Sequence, residues 1–247
     1  MEIQIKEDQV ELGKAAGSAA ASFIRNAIAG KGSANIILAT GTSQFETLNH
    51  LVAEPGIDWG KVVMFHLDEY IGLPITHPAS FRKYLKERFL SKVTPVKVAY
   101  LISGETNAQA ECDRLSLLIS EHPIDVALVG IGENGHLAFN DPPADFDTEV
   151  PYIIVQLDEG CRKQQLGEGW FKTFEEVPKQ AISMSVKQIL RSEKIICSVP
   201  DQRKAKAVKD CVEHSVSNFF PASVLQSHTS CTLFLDASSS SLLTEKS

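Results

Sequence analysis

Strands alternating with helices predict an α/β fold: a single-domain, Rossmann-like sheet, mostly parallel, with helices on both faces and an irregular lid segment. Three observations carry this. The apolar runs Ala34 to Ala39, Val62 to Leu67 and Val126 to Val129 lack polar alternation, as strands covered on both faces require. Stretches with helical spacing of apolar residues separate them. Each run then stops in a small or acidic turn, the place where open α/β sheets put their chemistry.

In chain order, residues 9–30 read as a helix, with Val10, Ala15, Ala19, Phe23, Ile24 and Ile28 mostly on one face and Gly30 and Gly32 to stop it. The strand at 34–39 runs into Thr40-Gly41-Thr42-Ser43 and a helical pattern of Phe45, Leu48, Leu51 and Val52. A strand at 62–67 closes at Asp68-Glu69-Tyr70, and a helix follows from about Pro78. Residues 98–102 form a weaker strand and 108–121 a helix, ahead of the strand at 126–129. Residues 152–157, 181–186, 195–199 and 232–235 read as further strands, with a helix at 201–213. Between them, 158–180 is less regular, with Gly160, Gly167, Gly169 and Pro178 around Trp170-Phe171. Glycine hinges and aromatic weight suit a cover over a site, and an ordinary connecting helix with a core Trp suits the composition equally. With no repeat and no linker, residues 1–236 are expected to be one domain and the Ser-rich end, 237–247, to fray.

Composition narrows the function classes. A chain of 247 residues, 43% hydrophobic and 22% charged, has the balance of a soluble globular protein. A formal net charge of -7 argues against a nucleic-acid partner. Five scattered cysteines, never in CxxC spacing, suit reduced thiols in a cytoplasm rather than a disulfide framework or zinc site. No apolar run is long enough to span a bilayer, so no membrane partner is expected.

The densest chemistry lies between Asp125 and Asp141, where an apolar strand ends in three glycines and presents Glu133, Asn134, His136, Asn140 and Asp141. An imidazole near acids can be given a defined tautomer and can move protons at neutral pH. Gly130-Ile-Gly132-Glu-Asn-Gly135 also spells a dinucleotide fingerprint, but that motif needs a helix straight after it, and Pro142-Pro143 intervene. A metal would want firmer ligand spacing, so no metal is expected. Asp68-Glu69 at a strand end is either a solvated loop or an acid facing the same crevice as His136. Thr40 to Ser43 combine a strand end, a glycine, hydroxyls and a helix start, which suits an anion and equally a plain N-cap. Gln202-Arg203-Lys204 could supply a cation to a phosphate or be a solvated basic turn.

Three strings together resemble the glucosamine-6-phosphate deaminase (isomerase) family: Leu38-Ala-Thr-Gly-Thr42, Phe65-His-Leu-Asp-Glu-Tyr-Ile-Gly-Leu73 with His77-Pro78, and Gly130 through Pro142. The likeness runs from about residue 34 to 236. The 6-phosphogluconolactonases share the fold and the Gly-His turn, but typically carry Asp-Glu-Arg where this chain has Asp68-Glu69-Tyr70. The resemblance implies conversion of an amino-sugar 6-phosphate and water to a ketose 6-phosphate and ammonia, without an organic cofactor. It implies Asp68 as the base that moves a proton between C2 and C1, and His136, oriented by Asp141, as the group that helps open the sugar ring. Asn134 and Glu133 join this catalytic group. Thr40, Gly41, Thr42 and Ser43 would hold the phosphate with Lys204, and Glu69, Gly130, Gly132 and Arg162 complete the expected binding set. A lactone hydrolase, with His136 activating water, and a non-catalytic sugar-phosphate sensor are the alternatives. The resemblance leaves the oligomeric state open, a homo-oligomer included.

The chain departs from that family's pattern in three places. Asn134 stands where an Asp often precedes Gly-His, and Asp141 where Glu is common. A phosphate-binding Arg usual before the aromatic pair is replaced by Gln164-Gln165-Leu166-Gly167-Glu168-Gly169. Losing an Arg fork removes a bidentate contact, so Arg162 or another cation substitutes, or the substrate differs.

Overall fold

In a computed structural model, which describes residues 1–244, the chain lays down ten strands and seven α-helices. It opens with β1 (Glu2–Lys6) and α1 (Gln9–Lys31), whose first turn is capped by Asp8 and whose last turn ends at Gly32. Then come β2 (Ala34–Leu38), a 3-10 turn at Thr42–Gln44, α2 (Phe45–Ala53), β3 (Val62–His66) and β4 (Asp68–Tyr70). Next are α3 (Phe81–Leu85), continued by a π-turn to Leu90, then β5 (Val98–Tyr100), α4 (Ala108–Ser120) and β6 (Val126–Val129). The last part holds β7 (Tyr152–Gln156), α5 (Glu159–Gly167), β8 (Gln180–Met184), α6 (Val186–Leu190), β9 (Lys194–Val199), α7 (Ala205–Glu213) and β10 (Cys231–Asp236).

Seven strands form one wholly parallel sheet in the order β1-β10-β9-β6-β2-β3-β5. Its runs are apolar on both faces because both faces are covered. Ile37, Phe65, Ala127 and Cys197 pack on one side, and Ile36, Met64, Leu128 and Ile196 on the other. From β2 the chain winds outward through β3 to β5, then returns to place β6 on the opposite flank of β2. The carboxyl ends of β2 and β6 therefore flank the crevice where open α/β sheets bind ligands.

The remaining strands overturn part of the expectation. Residues 68–70, 152–156 and 180–184 do not join the parallel sheet; they form a separate antiparallel one, β4-β8-β7. β1 escapes sequence reading because it is a half-buried edge strand, with Ile3 and Ile5 alternating with charged or polar neighbours. The segment after Asp158 is not wholly irregular: Asp158 caps the nine-residue helix α5, and Cys161, Gln164 and Gln165 are buried. With Tyr70, Phe81, Phe139 and Phe171, Cys161 belongs to a third apolar cluster.

Residues 237–244 also differ from a frayed tail. They turn back over α7, burying Leu243 in the core, and Lys209 holds the carbonyl of Leu242. Residues 245–247 lie outside the described part. Among the described residues no helix is long and apolar enough to cross a membrane.

Candidate active site

A small cavity opens at the β2/β6 crevice. Its wall includes Thr40, Gly41 and Ser43 after β2, Asp68 from β4, Gly130, Gly132 and His136 after β6, and Lys204 before α7. Two groups more than sixty residues apart in sequence, Asp68 and His136, thus face one space.

Asp68 is 6% exposed. Burial, reinforced by the neighbouring Glu69 carboxylate, pushes its pKa up to about 8. Glu69 itself is not at the cavity, which corrects the expectation that it binds substrate. Adjacent residues of a strand point to opposite faces, so Glu69 turns under α3. There it accepts from Ser80 Oγ at 3.0 Å, from the backbone N–H groups of Tyr70, Phe81 and Arg82, and from Arg82 Nε at 3.3 Å. It is the anchor of the α3 N-terminus.

His136 Nδ1 lies 3.2 Å from Asp141 Oδ1 and has no other partner among the described residues. Its ring sits directly over Gly132, where an added Cβ would lie 2.1 Å from Cε1, so only glycine leaves room. Burial works to raise the Asp141 pKa, but His136, the Asp158 N–H at 2.9 Å and the Asn134 amide at 3.1 Å outweigh it and hold the carboxyl low. Asn134 is a support rather than a cavity group. Its Nδ2 spans Asp141 and Asp158, and its Oδ1 receives the His136 backbone N–H. An amide can donate to both carboxylates, which an ionised Asp in its place could not. Glu133 turns away from the imidazole toward Arg203, 3.7 Å distant, which corrects its place in the catalytic group.

The loops are strapped to the small sheet. Ser183 of β8 pairs with Asp68 across the ladder, and its Oγ accepts from Phe139 N at 3.1 Å and Asn140 Nδ2 at 3.4 Å. One strand therefore holds both the acid and the turn that carries the imidazole.

In the loop after β2, Gly41 adopts φ 94°, a conformation glycine tolerates, and the loop leads into the 3-10 turn and α2. Gln44 ties that loop to the carbonyl of Ser198 on β9. Thr40 Oγ1 is buried with no partner. Lys204 is 5% exposed, and among the described residues no carboxylate pairs with it. Burial lowers its pKa, against the opposing pull of Glu168 and Glu133. A desolvated ammonium beside backbone N–H groups and an unpaired hydroxyl is a receptor for an anion. Thr42 lines an adjoining recess with Ser43, Arg203 and Lys204 rather than the main cavity.

Arg162 does not replace the missing Arg. Its guanidinium donates to the carbonyls of Phe174 and Val177 and lies 4.0 Å over the Phe174 ring, fastening the end of the segment after α5. Sequence reading missed Gln164 and Gln165 of α5 and Glu168 just after it, which line the cavity, and the Phe81 and Phe139 walls. Asp158 with the N–H of Cys161 three residues on was the available signal for that helix.

A family model described as glucosamine-6-phosphate isomerases/6-phosphogluconolactonase matches residues 7–234. A glucosamine-6-phosphate deaminase of Lactobacillus delbrueckii subsp. bulgaricus is 36% identical over 244 residues, covering 98% of this chain and 100% of that protein. Among solved structures, a monomeric glucosamine-6-phosphate deaminase superposes with a TM-score of 0.90 at 30% identity, covering 98% of this chain and 100% of that one. A 6-phosphogluconolactonase from Shewanella baltica superposes at 0.78 with 19% identity over 96% of this chain and 98% of its own, a likeness of fold alone.

Proposed function

Because the chain belongs to the glucosamine-6-phosphate isomerase/6-phosphogluconolactonase family, we propose that it is a deaminase of an amino-sugar 6-phosphate. The products are a ketose 6-phosphate and ammonia, with water entering as the amine leaves. The observation that carries this reading is the single cavity lined by Asp68 and His136 together with Lys204, Thr40, Gly41 and Ser43.

The phosphate sits on the loop N–H groups and Lys204, which fixes the sugar's carbon chain along the cavity. His136 passes a proton to the ring oxygen as the sugar opens, while Asp141 fixes the ring's orientation and stabilises the charge that passes through it. Asp68, as carboxylate, takes the C2 proton and returns it to C1 through an enediol-type intermediate. Phe81 and Phe139 keep water from that transfer. Five free, buried cysteines support a cytoplasmic setting.

A panel of hexosamine 6-phosphates assayed for released ammonia tests the proposal, with acid release from 6-phosphogluconolactone measured alongside. Ammonia release from a hexosamine phosphate, lost in Asp68→Asn with the fold intact, is expected. Lactone hydrolysis without ammonia release, or unchanged turnover in that variant, would overturn it.

A further inference from the structure

Cys161 takes no part in the chemistry above, yet its side chain completes a set of donors with two residues that do. Its Sγ, a ring nitrogen of His136 and a carboxylate oxygen of Asp141 all lie within 4.8 Å of one another. His136 Nδ1 adds an independent sign. It is buried, it has no hydrogen-bond partner, and it faces Asp141 at 3.2 Å. We propose that His136, Asp141 and Cys161 form a three-ligand site for a borderline-soft divalent cation of the zinc type.

The donor set selects the ion. One imidazole, one thiolate and one carboxylate suit zinc, whereas magnesium and calcium want six or more oxygens. Ligand atoms around a tetrahedral zinc stand roughly 3.5 Å apart, so the His136–Asp141 edge is already the right length and the cysteine side closes by about 1 Å. Asp141 is held by the Asp158 N–H and the Asn134 amide, the outer support that metal carboxylates need. The fourth position of a tetrahedral ion is left to water. Binding is a ligand exchange without redox change: the cation takes the Nδ1 lone pair and the Cys161 sulfur, and the thiol proton leaves to solvent.

A cation on Nδ1 breaks the link between His136 and Asp141. The loaded protein is then switched off in the proposed reaction, a consequence that rests on the role given to His136 above, as the binding itself does not.

Cobalt(II) titrated into the metal-free protein reads the site without reference to activity. A thiolate-to-cobalt absorption band at one ion per chain is expected, displaced by zinc and lost in Cys161→Ser and Cys161→Ala. Zinc should inhibit ammonia release, and Cys161→Ser should be at least about tenfold less sensitive while turning over normally in chelator. No band from the folded protein, or a band of full size in both variants, which Cys112, Cys197, Cys211 or Cys231 would then supply, overturns the site. A cobalt-loaded chain that binds at Cys161 and still releases ammonia at full rate overturns the role of His136 instead.

Discussion

Replacing Gly132 by alanine tests the seat of the imidazole. The added Cβ would stand 2.1, 2.2 and 2.3 Å from three atoms of the His136 ring, where ordinary contact begins at 3.4 Å. The ring must therefore retreat by about 1.3 Å, because Gly132 N is hydrogen-bonded to the His136 carbonyl at 2.9 Å and the two backbones cannot part freely. A displacement near 1 Å at a reacting group costs about a hundredfold in rate, or about 2.7 kcal/mol of barrier. Steady-state ammonia release should show this loss mainly in kcat, since the atoms crowded belong to His136 and not to Lys204 or the Thr40–Ser43 loop. Gly30→Ala, in α1 and away from the cavity, is the control, because nothing lies within 4 Å of its added Cβ. If Gly132→Ala, folded, keeps turnover within about threefold of the parent, the placement of His136 is not what sets the rate.

Further expectations concern charge. The proposed reaction needs Asp68 as a carboxylate, and with its pKa pushed up to about 8 only about one-tenth is ionised at pH 7. The value of kcat/KM should therefore climb with pH and level off above about 8; a profile flat from about pH 6 upward would remove Asp68 as the base. Lys204→Met should raise KM for the sugar phosphate roughly ten- to hundredfold and also raise the melting temperature, because it removes a buried ammonium that has no carboxylate partner among the described residues. A fall in melting temperature would contradict that. Glu69→Ala should cost about 3–5 kcal/mol in urea unfolding, since Arg82 and the α3 N-terminus lose their acceptor. A stable variant with weakened substrate binding would return Glu69 to the cavity.

The crevice was legible because its loops follow short apolar runs, a local signal. Which sheet a strand joins was not, since β4, β7 and β8 differ from the parallel strands only in their partners, and partnering is a long-range property. Glu69 could have been separated from Asp68 by strand alternation alone, once 68–70 is read as a strand. Arg162 could not be placed in advance, because its target carbonyls lie twelve and fifteen residues on, in a stretch without periodicity. Glycines at 160, 167 and 169 hid α5, so the cavity-lining Gln164, Gln165 and Glu168 went unassigned.

Ser183 gives the pocket a common ruler. Asp68 and the backbone N–H of Phe139 both meet this one residue of β8, so a bulky replacement at position 183 would disturb the acid and the imidazole turn together rather than either alone.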